Sequence, residues 1–308
     1  MTITAEQRAM RARGIGGSDA PVIAGASPYK TPLALWLEKK GRVPPIKETL
    51  PMKIGTALEP TILGEWMQLM GREVHAVGDT LFDMQNPALF AHIDGCVTGA
   101  LEGVEAKWVG NPSSEWGEPG TDSVPPHVFI QCCHYMMVTG WYRWHVAAAL
   151  GGREVRPYVI ERDERIINRL RDIELEFLER VQGDDPPPIM LPSDVRLLYP
   201  KATNDCSVIA DDATRGALER LRLVRSERES CESMEDRLTS EIQAFMGEAG
   251  ALIDGVGAVL ATWKSSRPTV RLDSERFKRE QPALWIEFSK EGAAARRFLL
   301  KGKQETQK

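Results

Sequence analysis

Three polar residues occupy positions from which a metal ion could be bound and a phosphodiester cleaved. Asp94 lies eleven residues before the triplet Glu105-Ala106-Lys107. In a strand, side-chain alternation would point Glu105 and Lys107 to one face and Ala106 to the other. Two carboxylates and a carbonyl oxygen suit Mg²⁺, and such an ion beside a lysine supports phosphodiester hydrolysis. The spacing favours a metal-dependent nuclease; the alternative is an ordinary Glu–Lys pair on a surface strand.

The surrounding sequence predicts the strands that would bring these residues together. One strand is predicted over 89–97, which contains Asp94. A second is predicted over 102–109 and is ended by Gly110-Asn111-Pro112. If the two strands pair as a hairpin, Asp94 lies beside Glu105.

Glu59 is a candidate on the first long helix. The apolar stripe over 54–70 predicts a helix that ends at Gly71. A glutamate within this helix could point toward the metal site. The alternative is a glutamate on the solvated face of the helix, where charged side chains are most common.

Gln131 is a candidate on a second helix, predicted over 127–139. It shares a helix face with Tyr135, four residues later. A glutamine there could hold Lys107 or a phosphate oxygen by hydrogen bonds. The alternative is a half-buried polar position without a catalytic role.

A glycine-containing segment near the start of the chain could bind an anion. Arg11 precedes the sequence Ile-Gly-Gly-Ser-Asp-Ala at 15–20. Ser18 or Asp19 could cap a helix starting near Ala20, and a helix N-terminus beside an arginine is suited to a terminal phosphate. The alternative is a plain helix cap with Arg11 in solvent.

The composition narrows the class of protein. The chain has 308 residues, 42% of them hydrophobic, and a formal net charge of −5. This charge argues against a protein that coats DNA by bulk charge, but not against a DNA enzyme with local basic groups. No run of about 18–20 apolar residues and no apolar leader are present, so we expect no membrane contact and a cytoplasmic location. The five cysteines form no CxxC pair, which argues against a zinc knuckle.

The chain divides at a proline-rich stretch. Alternating helix-like and strand-like segments predict an α/β (α+β) domain over 1–183. Three prolines at 186–188 indicate the start of a linker, predicted over 184–205. The remainder, 206–308, is predicted to be a helical module with a β-hairpin. Its helical part, 210–249, carries apolar residues at 4-3 spacing, which is typical of a coiled coil or of a two-helix hairpin.

These features in this order resemble the YqaJ-type viral recombinases, relatives of lambda exonuclease within the PD-(D/E)xK nucleases. The resemblance covers about residues 8–182. No single motif is specific, but the ordered set is. It consists of Arg11 with Ile15-Gly16-Gly17-Ser18-Asp19-Ala20, then Gly55-Thr56-Ala57-Leu58-Glu59-Pro60, His92-Ile93-Asp94-Gly95, Glu105-Ala106-Lys107, Pro125-Pro126 with Gln131, and Val138-Thr139-Gly140-Trp141.

The resemblance implies a restriction-endonuclease-like core, with a mixed central sheet flanked by helices, and a role for each candidate. The implied Mg²⁺ ligands, for which Mn²⁺ could substitute, are Asp94, Glu105, the Ala106 carbonyl and Glu59. Lys107 would orient the attacking water and Gln131 would support it. Arg11 and Ser18 would bind the 5′-terminal phosphate of DNA.

The implied activity is a Mg²⁺-dependent 5′→3′ exonuclease on linear duplex DNA that leaves 3′ overhangs for recombination. The implied partners are DNA ends, a phage single-strand annealing protein and further copies of the chain, with a ring-shaped trimer plausible by resemblance. The implied location is the cytoplasm of a bacterial host.

Two other functions remain open. One is a RecB-like or CRISPR-adaptation-like nuclease with endonuclease activity or another polarity, although the cysteines do not match the iron–sulfur pattern of the latter. The other is a non-catalytic DNA-end-binding recombination protein. One departure from the family also stands out. Relatives often carry a second glutamine where this chain has Cys133, which leaves open whether Gln131 or that position approaches the metal.

Overall fold

The structure, a computed structural model, describes residues 10–11, 13–203, 206–290 and 296–301. It divides the chain into two compact units, Met1–Pro200 and Lys201–Lys308. All candidate site residues lie in the first unit.

A five-stranded mixed sheet forms the centre of the first unit. Its strands, in spatial order, are β1 (Val74–His75), β4 (Gly95–Val97), β5 (Glu102–Val109), β6 (Arg143–Leu150) and β7 (Glu154–Glu161). The β5–β6 pair is parallel and the other pairs are antiparallel. Two further short strands, β2 (Leu81–Phe82) and β3 (Phe90–Ala91), form a separate antiparallel pair. The predicted mixed sheet in an α/β (α+β) fold is confirmed.

Six helices accompany the sheet in the described part of this unit. They are α1 (Ala20–Ile23), α2 (Pro32–Lys39), α3 (Leu50–Met70), α4 (Pro126–Thr139), α5 (Glu164–Gly183) and α6 (Pro192–Leu198). Helices cover both faces of β5 and β6, so that Val146, Ala147 and Ala148 are all buried, as expected for a parallel pair between two helical layers.

The ends of the site helices follow from local sequence. Helix α3 ends at Gly71, whose φ of 61° is left-handed, and α4 ends in the same way at Gly140 with φ 74°. Glycine takes this conformation without the steric cost that a side chain would add. Both ends were expected from the sequence, as was β5, whose bounds match the prediction.

Two predicted elements differ from the structure. The strand predicted over 89–97 is broken, because β3 pairs with β2 whereas β4 pairs with β1 and β5. Asp94 therefore lies in the bend just before β4 rather than inside a strand. Helix α3 begins at Leu50, four residues earlier than the apolar stripe indicated, and it continues through Pro60.

The predicted linker over 184–205 is wrong in its first part. Helix α6 falls within it and belongs to the first unit. The Asp194 carboxylate is fully buried. It accepts hydrogen bonds from Thr31 Oγ1 at 2.7 Å and from the backbone N–H groups of Met190 and Leu191 at 2.9 and 3.1 Å. These bonds join the proline-rich segment to the start of α2.

The second unit contains one long helix and a hairpin. Its described elements are α7 (Asp212–Met246), β8 (Ala251–Ile253), β9 (Val259–Thr262), α8 (Ser274–Glu280) and α9 (Pro282–Phe288). The predicted hairpin is present. The 4-3 segment is one unbroken helix, so the two-helix hairpin considered for it is wrong. Within the described residues, no helix is both long enough and apolar enough to cross a membrane.

The Asp194 contact predicts that a segment resembling a linker contributes to stability. Replacing Asp194 with Ala leaves Thr31 Oγ1 and the N–H groups of Met190 and Leu191 without their acceptor, and a hydrogen bond to a charged group is worth about 1.5–3 kcal/mol. We expect Asp194→Ala to lower the denaturant midpoint of the N-terminal unit. Asp172→Ala, at an exposed aspartate on α5, serves as the control, and equal unfolding of both variants and the parent chain would contradict the role of α6.

Candidate active site

The β4–β5 hairpin brings Asp94 to the triplet. In the hairpin, Gly95 pairs with Val104. Asp94 Oδ2 accepts a hydrogen bond from the backbone N–H of Ala106 at 2.8 Å. The expected proximity of Asp94 to β5 is therefore present, although a bend supplies Asp94 instead of a strand.

Glu105, Lys107 and Gln131 form a compact hydrogen-bonded cluster. Lys107 Nζ donates to Glu105 Oε1 at 2.6 Å and to Gln131 Oε1 at 2.9 Å. The Gln131 Nε2 group donates to the same Glu105 oxygen at 3.0 Å and to the Tyr135 hydroxyl at 2.7 Å. An ammonium has three donors, and within the described chain two of them are engaged here. The third is left for a water or a phosphate oxygen.

The second carboxylate oxygen of Glu105 provides a test for metal binding. Glu105 is 4% exposed, and its Oε2 atom is buried without a hydrogen-bond partner. Burying an ionised oxygen without a partner costs free energy. A hard divalent ion bound to this oxygen would be such a partner. The carboxylate and carbonyl oxygens present at this site therefore fit Mg²⁺, which prefers oxygen ligands.

The carboxylates around Glu105 also favour the binding of a cation. Burial raises the pKa of the Asp94 carboxyl well above its usual range, and the nearby carboxylates of Glu105 and Glu59 add to the rise. Burial, followed by Glu105, also raises the pKa of Glu59. Three acids that repel one another indicate a site to which a cation would add stability.

Lys107 stays charged in this cluster. Burial disfavours its ammonium, but Glu105 and Asp94 outweigh that effect and raise the pKa of Lys107. Within the described residues, no group of three or more His, Cys, Asp or Glu side chains forms a ready-made metal cage. The three acids therefore lie near one another without forming a complete set of metal ligands: Asp94, Glu105 and Glu59. That suits an ion such as Mg²⁺, which keeps several waters and needs only one or two carboxylates.

The structure distinguishes Gln131 from Cys133. Gln131 contacts both Glu105 and Lys107, as described above. Cys133 is 3% exposed and lies near Asp163 and Arg162, with burial raising the pKa of its thiol to about 12. In this chain Gln131 is therefore the residue of the pair that reaches the triplet.

The glycine-containing segment is built differently from the expected helix cap. Helix α1 has only four residues, and Asp19 at its N-cap makes no side-chain capping bond. The Asp19 carboxylate instead accepts from Lys39 Nζ at 2.8 Å and from the Gly16 N–H at 3.3 Å. A strong helix-terminus anion site is therefore absent here. Arg11 and Ser18 are exposed, as a phosphate contact requires.

Lys39 was not singled out from the sequence. Its side chain is 3% exposed, and besides Asp19 it donates to the carbonyls of Arg11 and Gly14 at 2.8 and 2.6 Å. It thereby holds the backbone that carries Arg11. No sequence signal separates it from an ordinary lysine in the last turn of a helix, because its partners lie 20 to 28 residues earlier in the chain.

Comparison with known proteins shows which family this part of the chain is similar to. Residues 7–142 match the YqaJ-like viral recombinase domain, a range that contains every candidate residue named above. Over this range, somewhat under half of its length, the chain is similar to that family. It is 27% identical over 302 residues to the uncharacterized protein YqaJ of Bacillus subtilis (strain 168), covering 94% of this chain and 92% of that protein. The likeness therefore extends into the second unit.

Several solved structures are similar at lower identity. An alkaline exonuclease (LHK-Exo) from Laribacter hongkongensis matches with a TM-score of 0.48 and 19% identity, covering 59% of this chain and 94% of that one. A phage-related exonuclease from Haemophilus somnus 129PT matches with a TM-score of 0.45 and 12% identity, covering 56% and 96% of the two chains.

The repulsion at Asp94 predicts a metal-dependent stability. Because the pKa of Asp94 is raised in the folded state, the metal-free protein loses stability as pH rises through that pKa. We expect Asp94→Asn to raise the melting temperature in EDTA at pH 8, by roughly 2–4 °C per kcal/mol gained, with a smaller rise at pH 5. Mg²⁺ should then stabilise the parent chain more than the variant. Equal Mg²⁺ shifts in both, measured by thermal unfolding, would remove Asp94 from the ion site.

Proposed function

We propose that the chain is a phage-type recombination nuclease that hydrolyses phosphodiester bonds of DNA with the help of Mg²⁺. The observation that carries this proposal is the Glu105 carboxylate. One of its oxygens is held by Lys107 and Gln131, while the other is buried without a partner beside Asp94. A Glu–Lys pair with a purely structural role would not require a buried carboxylate oxygen that lacks a hydrogen-bond partner. The family match of residues 7–142 supports the same function.

Each residue then has a distinct task. Asp94 and Glu105 would hold the ion, with Glu59 and the Ala106 carbonyl completing the site. When bound, the ion would activate water and stabilise the charge on the leaving oxygen. Lys107 would use its remaining N–H to orient that water or the scissile phosphate, since a compact ammonium is a suitable point charge for either.

Gln131 would act on Lys107 and not on the substrate. Its amide oxygen accepts from Lys107, and its amide nitrogen donates to Glu105 and to the Tyr135 hydroxyl. A flipped amide would set its nitrogen against the ammonium and its oxygen against the carboxylate. The amide therefore fixes the position of the lysine relative to the acid.

We further propose a 5′→3′ exonuclease that acts on linear duplex ends and leaves 3′ overhangs for a single-strand annealing protein in the bacterial cytoplasm. Arg11 supports this polarity. Burial, and after it the charge of Arg11, lowers the pKa of His92, so the guanidinium is close to a residue only two positions before Asp94. A 5′-phosphate bound by Arg11 and Ser18 would thus lie near the cleavage site. A ring of three copies around DNA fits the same proposal.

The substrate form tests this function directly. Linear duplexes labelled at either the 5′ or the 3′ end, together with nicked and closed circular duplexes, are incubated with Mg²⁺, Mn²⁺ or EDTA. We expect loss of linear DNA and early release of the 5′ label, with either metal but not with EDTA. Cleavage of closed circles would favour an endonuclease, release of the 3′ label first would reverse the polarity, and binding without any cleavage would indicate an end-binding protein.

Two substitutions test the catalytic cluster. Glu105→Gln keeps the shape of the side chain but removes its charge, and Lys107→Ala removes the donor to the water. We expect each to lower the cleavage rate by at least about 10³-fold, in the range seen when one electrostatic donor is removed, with DNA-end binding retained. Glu65→Gln, an exposed glutamate on α3, is the matched control. Near-normal rates in both cluster variants would exclude these residues from the chemistry.

Arg11 can be tested separately from the chemistry. Arg11→Ala should reduce the preference for 5′-phosphorylated over 5′-hydroxyl ends by at least about tenfold, because one charge-assisted contact to phosphate is worth about 1.5–3 kcal/mol. The rate on saturating DNA should change less. Arg13→Ala, also exposed in the same segment, controls for loss of general positive charge, and an unchanged preference in Arg11→Ala would refute the assignment.

A further inference from the structure

Helix α7 carries an apolar stripe that is exposed from Val224 to Phe245, whereas Leu221 is half-buried. Of its 35 residues only Met246 is buried, while Val224 is 59% exposed and Phe245 is 81% exposed. No other described helix or strand of the second unit packs extensively along it. A helix of this length depends on packing for its stability, and a continuous exposed apolar stripe indicates a protein partner.

The spacing of the stripe identifies the kind of partner. Its residues alternate at intervals of four and three, which averages 3.5 and is the repeat of a left-handed coiled coil. We call the positions that lie within the helix the α7 seam: Ala217, Leu221, Val224, Arg228, Cys231, Glu235, Leu238, Ile242 and Phe245. Another helix with the same repeat fits this seam, and a second copy of the chain carries one.

Two charged seam residues decide the orientation of that second helix. In a parallel pair, Arg228 would face Arg228 of the second copy, and Glu235 would face Glu235. Both layers would be unfavourable because like charges repel. In an antiparallel pair with Leu221 opposite Phe245, Arg228 lies opposite Leu238. Glu235 of the second copy then lies in the adjacent layer, within reach of a long arginine side chain.

The same register also matches the apolar residues. Leu221 lies opposite Phe245 and Val224 lies opposite Ile242, so that the large side chains meet across the interface. Within one copy, the ion pair that Arg228 forms among the described residues is with the exposed Glu232 on its own helix, at 3.2 Å, so Arg228 can also be shared with a second helix.

We propose that α7 binds α7 of a second copy as an antiparallel coiled coil, in which Arg228 of each copy pairs with Glu235 of the other. The charged layers select the antiparallel orientation, because one wrong pairing brings like charges together. This interface does not depend on the proposed nuclease activity.

A charge exchange tests the pairing in the full-length chain. Arg228→Glu and Glu235→Arg should each raise the dissociation constant of the α7 contact by at least about tenfold, since each places like charges across the interface. The double variant Arg228→Glu/Glu235→Arg should restore it to within about threefold. Arg237→Glu, off the seam and paired only with Glu241 at 3.3 Å, is the control. Sedimentation equilibrium gives the constants, and a double variant as weak as the singles would overturn the proposal.

Crosslinking tests the orientation independently of any other contact between copies. Leu221→Cys and Phe245→Cys are made in separate chains, each with Cys206→Ser and Cys231→Ser, and are mixed with a short bis-maleimide. We expect a crosslink between the two different variants and none within Leu221→Cys alone. A crosslink within Leu221→Cys would show a parallel pair. Absence of any crosslink would show that something other than a second copy covers the seam. Either result overturns the proposal.

Discussion

The site depends on holding several carboxylates together in a partly buried space. Asp94, Glu105 and Glu59 repel one another, and burial raises the pKa of Asp94 and of Glu59. Lys107 offsets part of this repulsion through one oxygen of Glu105. The other oxygen of Glu105 is buried without a hydrogen-bond partner. Stability is thus given up locally, as is common where a fold prepares a site for a ligand.

The central strand of the sheet makes this arrangement possible. Strand β5 lies between an antiparallel and a parallel neighbour, so both of its edges are paired and its position is fixed. Alternation along β5 then directs Glu105 and Lys107 to the face covered by α4, where Gln131 meets them. A site built on a paired strand and a helix is held more rigidly than one built on loops.

The sequence predicted what depends on local patterns and missed what depends on distant contacts. Alternation predicted β5, and the helical repeat placed Gln131 on the face shared with Tyr135. The pairing of β4 with β1 brings Gly95 against Val74, where a Cβ would come within 2.3 Å of the valine side chain. The role of Asp194 depends on Thr31, 163 residues away. Neither contact leaves a periodic signal in the sequence.

The α7 seam shows how polar residues can set the arrangement of an otherwise apolar contact. Apolar residues at Arg228 and Glu235 would give a tighter helix pair, because buried charges lose hydration. They would also pair equally well in both directions. With Arg228 and Glu235 present, a parallel pair places like charges opposite each other in two layers. An antiparallel pair can instead bring opposite charges together. The difference between the two orientations, rather than the strength of either, is what these residues provide.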